Sequence, residues 1–372
     1  MRVPRGRYRW AAVPAAVALL AVVGYAVVGC GPSRPAAPLA HFVDAGASPT
    51  DPGVASASSS PSASPSPRAS ASPSRAPLPA GPGLRGCPNL PANNVWHADV
   101  TRLPVHANSA AYVASMGAGA NLKADFGAGI WDGSPIGIPI TYVAPGQAKV
   151  PVSFDYAEDS DRGPYPIPRD ALVEGGRNSS GDRHVLVVDT GTCKLYEMWD
   201  SHPAADGSWH AGSGAVFDLR GNVLRPAGLT SADAAGLPVV PGLVRYEEVA
   251  AGRIDHAIRI TVPRTQRRYV WPARHFASSN TDAALPPMGL RLRLKAGADI
   301  GRLPAQVRVI AQAMKTYGVI VADNGSAWYV SGTPDEHWNN DALRALASLH
   351  GGDFEAVDTA GLMVSKDSGE YR

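Results

Sequence analysis

The chain of 372 residues is poor in charge: 18% is Asp, Glu, Lys or Arg, and bases exceed acids by only two. Even that excess is confined to one end. Residues 1–87 hold eight arginines against Asp44 and Asp51, leaving 26 bases and 30 acids for residues 88–372. An acidic body argues against a charge-driven nucleic-acid binder, because neutralising phosphates takes a basic domain. Cysteine is scarce too: there are three, with no Cys-x-x-Cys and no Cys/His cluster, so a structural zinc site of ordinary spacing is not expected. Gly-x-Ser-x-Gly, His-Glu-x-x-His, a P-loop and a dinucleotide fingerprint are all missing, and no cofactor is read. Gly117-Ala118-Gly119-Ala120 lacks a lysine and a preceding strand and reads as a loop. No repeat of 20–50 residues is visible, which disfavours a propeller or solenoid. Helix breakers, in contrast, are abundant. Thirty-nine glycines and 34 prolines rule out a coiled coil or helix bundle.

The first residues read as an address. Arg2, Arg5, Arg7 and Arg9 precede an uncharged run of 19 residues from Trp10 to Val28, the pattern of an export signal. The run ends Val27-Val28-Gly29-Cys30, which resembles the bacterial lipoprotein box. The resemblance implies cleavage before Cys30 and lipidation of that residue over segment 1–30. An uncleaved signal anchor is the alternative, since about 20 apolar residues can span a bilayer. Either reading places the body outside the cytoplasm, on the outer face of the cytoplasmic membrane. Residues 31–86 follow as a linker. Between Ala47 and Ala80, 27 of 34 residues are Ala, Ser or Pro, too little apolar surface to offset chain entropy. The two remaining cysteines, Cys87 and Cys193, lie beyond it, in a compartment where disulfides persist, and are expected to pair.

The body is expected to be one domain over 87–364, followed by a tail over 365–372. Short β-branched or alternating runs recur between Gly, Pro and Asp turns: 138–143, 152–156, 184–189, 194–199, 215–219, 243–247, 254–262, 268–271, 290–295, 319–322 and 328–331. Helical spacing is confined to Pro304–Tyr317 and Ala342–His350, with a capping-box turn at Thr230–Asp233. The expected fold is mainly β, an antiparallel β-sandwich of jelly-roll type with two or three short helices.

Four features carry candidate chemistry. The acidic run Asp155–Gly163 offers oxygen ligands for calcium but matches no EF-hand register, and reads more simply as a solvated turn, so no metal is assigned. His256 falls on one face with Ile254, Ile258 and Ile260, and Arg259 on the other; a histidine in an apolar row is usually a core residue unless that face floors a cleft. Tyr269-Val270-Trp271-Pro272-Ala273-Arg274-His275 sets aromatic rings beside two cationic side chains at a strand end, a combination suited to sugar rings and their polar groups, or else a plain edge strand. Arg291-Leu292-Arg293-Leu294-Lys295 lines cations opposite its leucines, either as a solvated face or as one attracting an anionic polymer. Asp323-Asn324-Gly325 reads as a hairpin turn whose carboxylate reaches the sheet end. If 254–262 and 268–271 pair as a hairpin beside 290–295, one cleft gathers His256, Arg274, His275 and Asp323 as catalytic candidates. Trp271, Arg291 and Tyr269 would then bind substrate. Glu197, Asp189 and Asp218 are further acids with no shared cleft legible in the sequence.

Segments 182–189, 230–236, 271–275, 286–295 and 317–325 resemble a group of uncharacterised secreted bacterial proteins. That resemblance implies an extracellular domain and no particular reaction. Two functions are therefore expected in parallel: a polysaccharide hydrolase or lyase, or a non-enzymatic wall- or glycan-binding module. The partners expected are the membrane, through lipid at Cys30, and a cell-wall or extracellular polysaccharide, for a monomeric chain.

Overall fold

The computed structural model describes residues 83–372. The signal, Cys30 and the linker up to residue 82 lie outside the described residues. Among those described, no helix is long and apolar enough to cross a membrane.

The body is mostly β and holds four sheets. The largest has six strands in the order Lys123–Asp125, Tyr329–Ser331, Ile258–Val262, Val319–Asn324, Arg291–Leu294 and Phe354–Ala356. The second has four: Ser213–Asp218, Lys194–Trp199, Val185–Asp189 and Ile140–Val143. A three-stranded sheet (Val152–Phe154, Trp209–Ala211, His202–Pro203) and the hairpin Ile130–Pro135 complete the set. The purely antiparallel pairing expected from the sequence is not what forms. Four pairs are parallel: 123–125 with 329–331, 258–262 with 319–324, 140–143 with 185–189, and 152–154 with 209–211. The described sheets close into no barrel.

The run Val185–Asp189 is buried at every position. Its period of two explains this: Leu186 and Val188 enter the main core, while Val185 and Val187 join a second cluster with Tyr165, Tyr196, Met198 and Trp209. The four-stranded sheet is thus covered on both faces. Helix Ala305–Thr316 buries Val307, Ile310, Ala311 and Met314 on the stripe its spacing predicts. It stops at Gly318, whose φ of 74° and whose approach to the Leu292 carbonyl leave no room for a Cβ. Two expected elements form differently. Residues 243–247 are no strand; Tyr246–Ala250 is a short helix. Residues 268–271 are not a strand either, and Tyr269 bridges only Met288.

Both chain ends of the body are fastened. Cys87 and Cys193 form a disulfide with Cα atoms 5.4 Å apart, tying residue 87 to the turn after Val185–Asp189. Residues 365–372 do not hang free. Ser368 and Glu370 bridge Val223 and Asn94, and Trp271 Nε1 donates to the Ser368 carbonyl at 2.8 Å.

The expected hairpins around strand 258–262 are replaced by a different order. This strand does not pair with 268–271, and 291–294 lies one strand further away, against 319–324. Nor does Asp323-Asn324-Gly325 close a hairpin. Strand 258–262 is inserted between 319–324 and 329–331, so the connection passes over its end, with the Gly325 N–H donating to the Val262 carbonyl at 2.9 Å.

Candidate functional site

One irregularity builds the site. Along strands 258–262 and 319–324, Arg259 pairs with Ile320 and Ile260 with Val321, but Thr261 then pairs with Asp323. Ala322 is the extra residue of a bulge. In a regular ladder Asp323 would share the face of Val262; the one-residue slip turns it to the face of Thr261 and Arg259. Pairing across the sheet adds more polar groups to that face. Ser331 is in register with Asp125, and the register of Ile260 with Val330 sets it beside Arg259. Asp125 and Arg259 therefore flank Ser331, two strand spacings or about 10 Å apart at Cα.

The Arg259 side chain is buried and fully engaged. Its Nη1 donates to Ser331 Oγ at 2.7 Å, its Nε donates to Asp233 Oδ2 at 3.3 Å, and its Nη2 lies 4.0 Å from Asp323 Oδ2. Asp233 reaches it from the turn after Thr230. Ser231 Oγ accepts from the Asp233 N–H at 2.9 Å and donates to the Leu237 carbonyl at 2.6 Å, pinning the turn. The same turn accepts the amides of Arg274 and His275 at the Ala235 carbonyl, and its Ala235 N–H donates to the Ala322 carbonyl.

Next to Asp233 lies an ion pair. His184 Nδ1 donates to Glu174 Oε2 at 2.6 Å, and its Nε2 is 3.0 Å from the Ala232 carbonyl. Both ring nitrogens face acceptors, which calls for the imidazolium. Burial alone would push this histidine down, but the Glu174 charge and hydrogen bond outweigh burial and lift it to about 9. Glu174 is held below the usual carboxylate range: His184, through charge and hydrogen bonds, overcomes the effect of burial.

The carboxyls on this face are pushed the other way. Burial, then the charge of Asp233, raises Asp323 to about 7, although Arg259 opposes it. Its side chain keeps 26% of its surface open. Asp233 is fully buried and also raised by burial, against Arg259. Asp125, exposed as a residue, has its carboxyl raised by the protein packed around it and by Glu174 and Asp182. Asp182 accepts from Trp199 Nε1 at 3.4 Å, and Tyr156 lies beside Trp199 with ring centroids 6.4 Å apart. The result is an open rim of Asp125, Asp182 and Asp323, with the part-exposed Glu174 beside it, above a buried floor of Arg259, Asp233 and His184.

The residues singled out from the sequence take different places. Asp323 stands on this face. His275 is near it: its Nδ1 is 2.9 Å from the Ala234 carbonyl, and its ring stacks on Phe276. Tyr269 stacks on the same Phe276. Trp271 and Arg274 both hold the C-terminal segment, Arg274 through the Lys366 carbonyl and, at 2.8 Å, Asp367. His256 is wholly enclosed, 3.2 Å from Glu248, which in turn pairs with Arg245. Arg291 is buried under residues 95–98, donating to the Tyr317 carbonyl at 2.6 Å and to that of Val95 at 3.1 Å. Burial alone pushes its guanidinium down to about 9. Arg293 is capped likewise by the carbonyls of Val100, Thr101 and Leu103, so both arginines of the row are covered by chain, and only Lys295 stays exposed. No hydrogen bond or ion pair among the described residues joins His256 to Arg274 or Arg291.

In the acidic run, Asp161 is taken up by Arg225 and by the Val216 N–H at 2.8 Å. Among the described residues no group of His, Cys, Asp and Glu is arranged to hold a metal. Sequence reading missed Asp125, Glu174, His184, Asp233 and Arg259. Only two signals pointed to them: the alternation that set Arg259 opposite His256, and the Thr230–Asp233 capping pattern. No family model, no curated protein and no solved structure matches this chain, so the site rests on its own geometry.

Proposed function

We propose that the body is an extracytoplasmic carbohydrate hydrolase, carried by a lipid-anchored chain and acting on a polysaccharide through the Asp323 face. The observation that carries this reading is Asp323 itself. A carboxyl titrating near 7 at an open rim, with a buried guanidinium and a second acid behind it, is suited to giving a proton to a leaving oxygen. Asp125, a more exposed carboxyl on the same face of the sheet, would take the proton of an attacking water. The glycosidic oxygen then leaves with the Asp323 proton, and the sugar carbon gains the water oxygen. A lyase would need a free cation for a sugar carboxylate. Arg274, Arg291 and Arg259 are all bound within the protein, and the exposed cation of this face, Lys123, lies over the Tyr329 ring, which favours hydrolysis.

A non-enzymatic binding module, the other expectation, would show aromatic surface without a buried ionisable cluster. The buried cluster of Arg259, Asp233 and His184, with Glu174 paired to it, favours chemistry. The disulfide supports an oxidising compartment. The test is a degradation screen of the full chain against soluble and insoluble polysaccharides, read as released reducing ends. At least one should be cleaved by the native protein and left intact by Asp323→Asn. Equal release by both would overturn the reading.

A further inference from the structure

We infer that the hairpin Ile130–Pro135 is a stacking platform that extends the Asp323 face toward an uncharged polysaccharide chain, an inference resting on the reading of that face as a carbohydrate site. The hairpin begins five residues after Asp125. Its first strand exposes two large apolar residues: Trp131 keeps 77% of its surface exposed and Ile130 65%. Scattered exposed side chains are ordinary, but this pair is displayed on a fixed base. Asp132 and Gly133 both have positive φ, 47° and 82°, as a type I′ hairpin turn requires. At the root, the Gly127 N–H donates to the Ile136 carbonyl at 3.0 Å, and Asn340 bonds Ala128 through both its N–H and its carbonyl at 2.9 Å. Ser134 is buried and packs beside Gly176, two residues beyond Glu174. The turn end of the hairpin thus borders the segment that carries Glu174, and the backbone beneath the indole is held at both ends, which limits the ordering cost of binding.

Charge selects the occupant. The open groups near the hairpin are three acids, Asp125, Asp182 and, at the turn, Asp132, against two exposed cations, Lys123 over the Tyr329 ring and Arg177 on the Arg169 carbonyl. Two further cations, Arg259 and His184, are buried and already bonded to carboxylates. A uronate polymer or an anionic lipid surface would meet a net negative charge here. A neutral chain has no charge for it to oppose: its hydroxyls donate to the carboxylates, and the apolar faces of its pyranose rings cover Trp131, with Trp199 and Tyr156 as a second aromatic pair near Asp182.

The experiment uses the full chain carrying Asp323→Asn, so that bound polymer is not consumed. Retention is measured on cellulose, chitin and an insoluble β-1,3-glucan, with calcium-pectate gel and anionic phospholipid vesicles alongside. At least one neutral polymer should retain the protein, and adding Trp131→Ala should weaken that retention about tenfold or more, a loss of about 1.4 kcal/mol. Trp131→Phe should restore part of it. Unchanged retention on Trp131→Ala overturns the inference, as does no retention by any neutral polymer, or Trp131-dependent capture by pectate or vesicles. The two readings fail separately. Asp323-dependent cleavage with Trp131-independent binding removes the platform alone; Trp131-dependent binding to a polymer that native protein and Asp323→Asn leave equally intact removes the proton donor alone.

Discussion

The Asp323 carboxyl stands 4.0 Å from the Arg259 guanidinium, whose hydrogen bonds go instead to Asp233 and Ser331. One buried cation thus serves two acids, and the one held more loosely is the one that reaches solvent. Asp233 is fully enclosed and cannot release its charge to water, so its field acts on the neighbour. That division keeps a proton on Asp323 up to about neutral pH.

The first consequence is a pH limb. If Asp323 must be protonated to act, cleavage should fall as pH rises through about 7. Asp323→Asn should lower kcat by roughly two to four orders of magnitude, the range for a lost general acid. A rate that stays level from pH 6 to 9 would remove Asp323 from the reaction.

Asp233 supplies a sharper test, because its expected effect is a displacement of that limb. Its charge raises Asp323, so removing the charge lets Asp323 fall toward the ordinary carboxylate range. Asp233→Asn should move the descending limb to lower pH, leaving some activity in acid. It also frees Arg259 from its buried partner, so Tm should be recorded alongside. Uniform loss of rate with an unmoved limb would assign Asp233 to folding alone.

Much of the fold was legible because its signals are local. The unbroken apolar run in 185–188, the helical stripe in 305–316 and the two cysteines left after the linker each rest on nearby residues or simple elimination. The site was less legible because pairing between distant segments assembles it. Asp323 was picked out as a turn residue, but the bulge at Ala322 that turns it toward Arg259 leaves no mark in the sequence. Asp125, Glu174 and Asp233 lie in short loops and strands with no motif, and only register brings them to one face. Arg291 shows the converse: an alternating row of cations reads as an open surface, until residues 95–103 fold across it and their carbonyls take up the guanidinium groups.

The disulfide should matter for stability rather than for the site. Cys87 and Cys193 are 106 residues apart, and both are buried. Replacing both by serine should cost about 2–5 kcal/mol, seen as a lower denaturation midpoint. Non-reducing peptide mapping should find the two cysteines in one linked fragment. Two free thiols in protein purified without reductant would contradict the bond.

The last prediction concerns Glu197, an acid with no exposure and no cation in contact. Its carboxyl accepts from the Val239 N–H at 2.9 Å and the Val240 N–H at 2.9 Å. Burial raises it to about 7 despite those bonds. Below pH 4.5 it is protonated whether the chain is folded or not. Between 4.5 and 7 the folded protein holds a proton that the unfolded chain has released, so stability falls as pH rises. Above 7 both states are charged, and the full cost of the buried charge is present. That cost is on the order of 3 kcal/mol across the interval, or several degrees in Tm. Glu197→Gln mimics the protonated form, and its side-chain oxygen can still accept from the two amides. The difference in Tm between variant and native protein should therefore grow in favour of Glu197→Gln from pH 5 to pH 8. Other titrating groups, His184 among them, contribute to both curves and cancel in the difference. A constant offset across that range would mean that the Val239 and Val240 amides hold Glu197 ionised at ordinary carboxylate pH, and that burial does not dominate there.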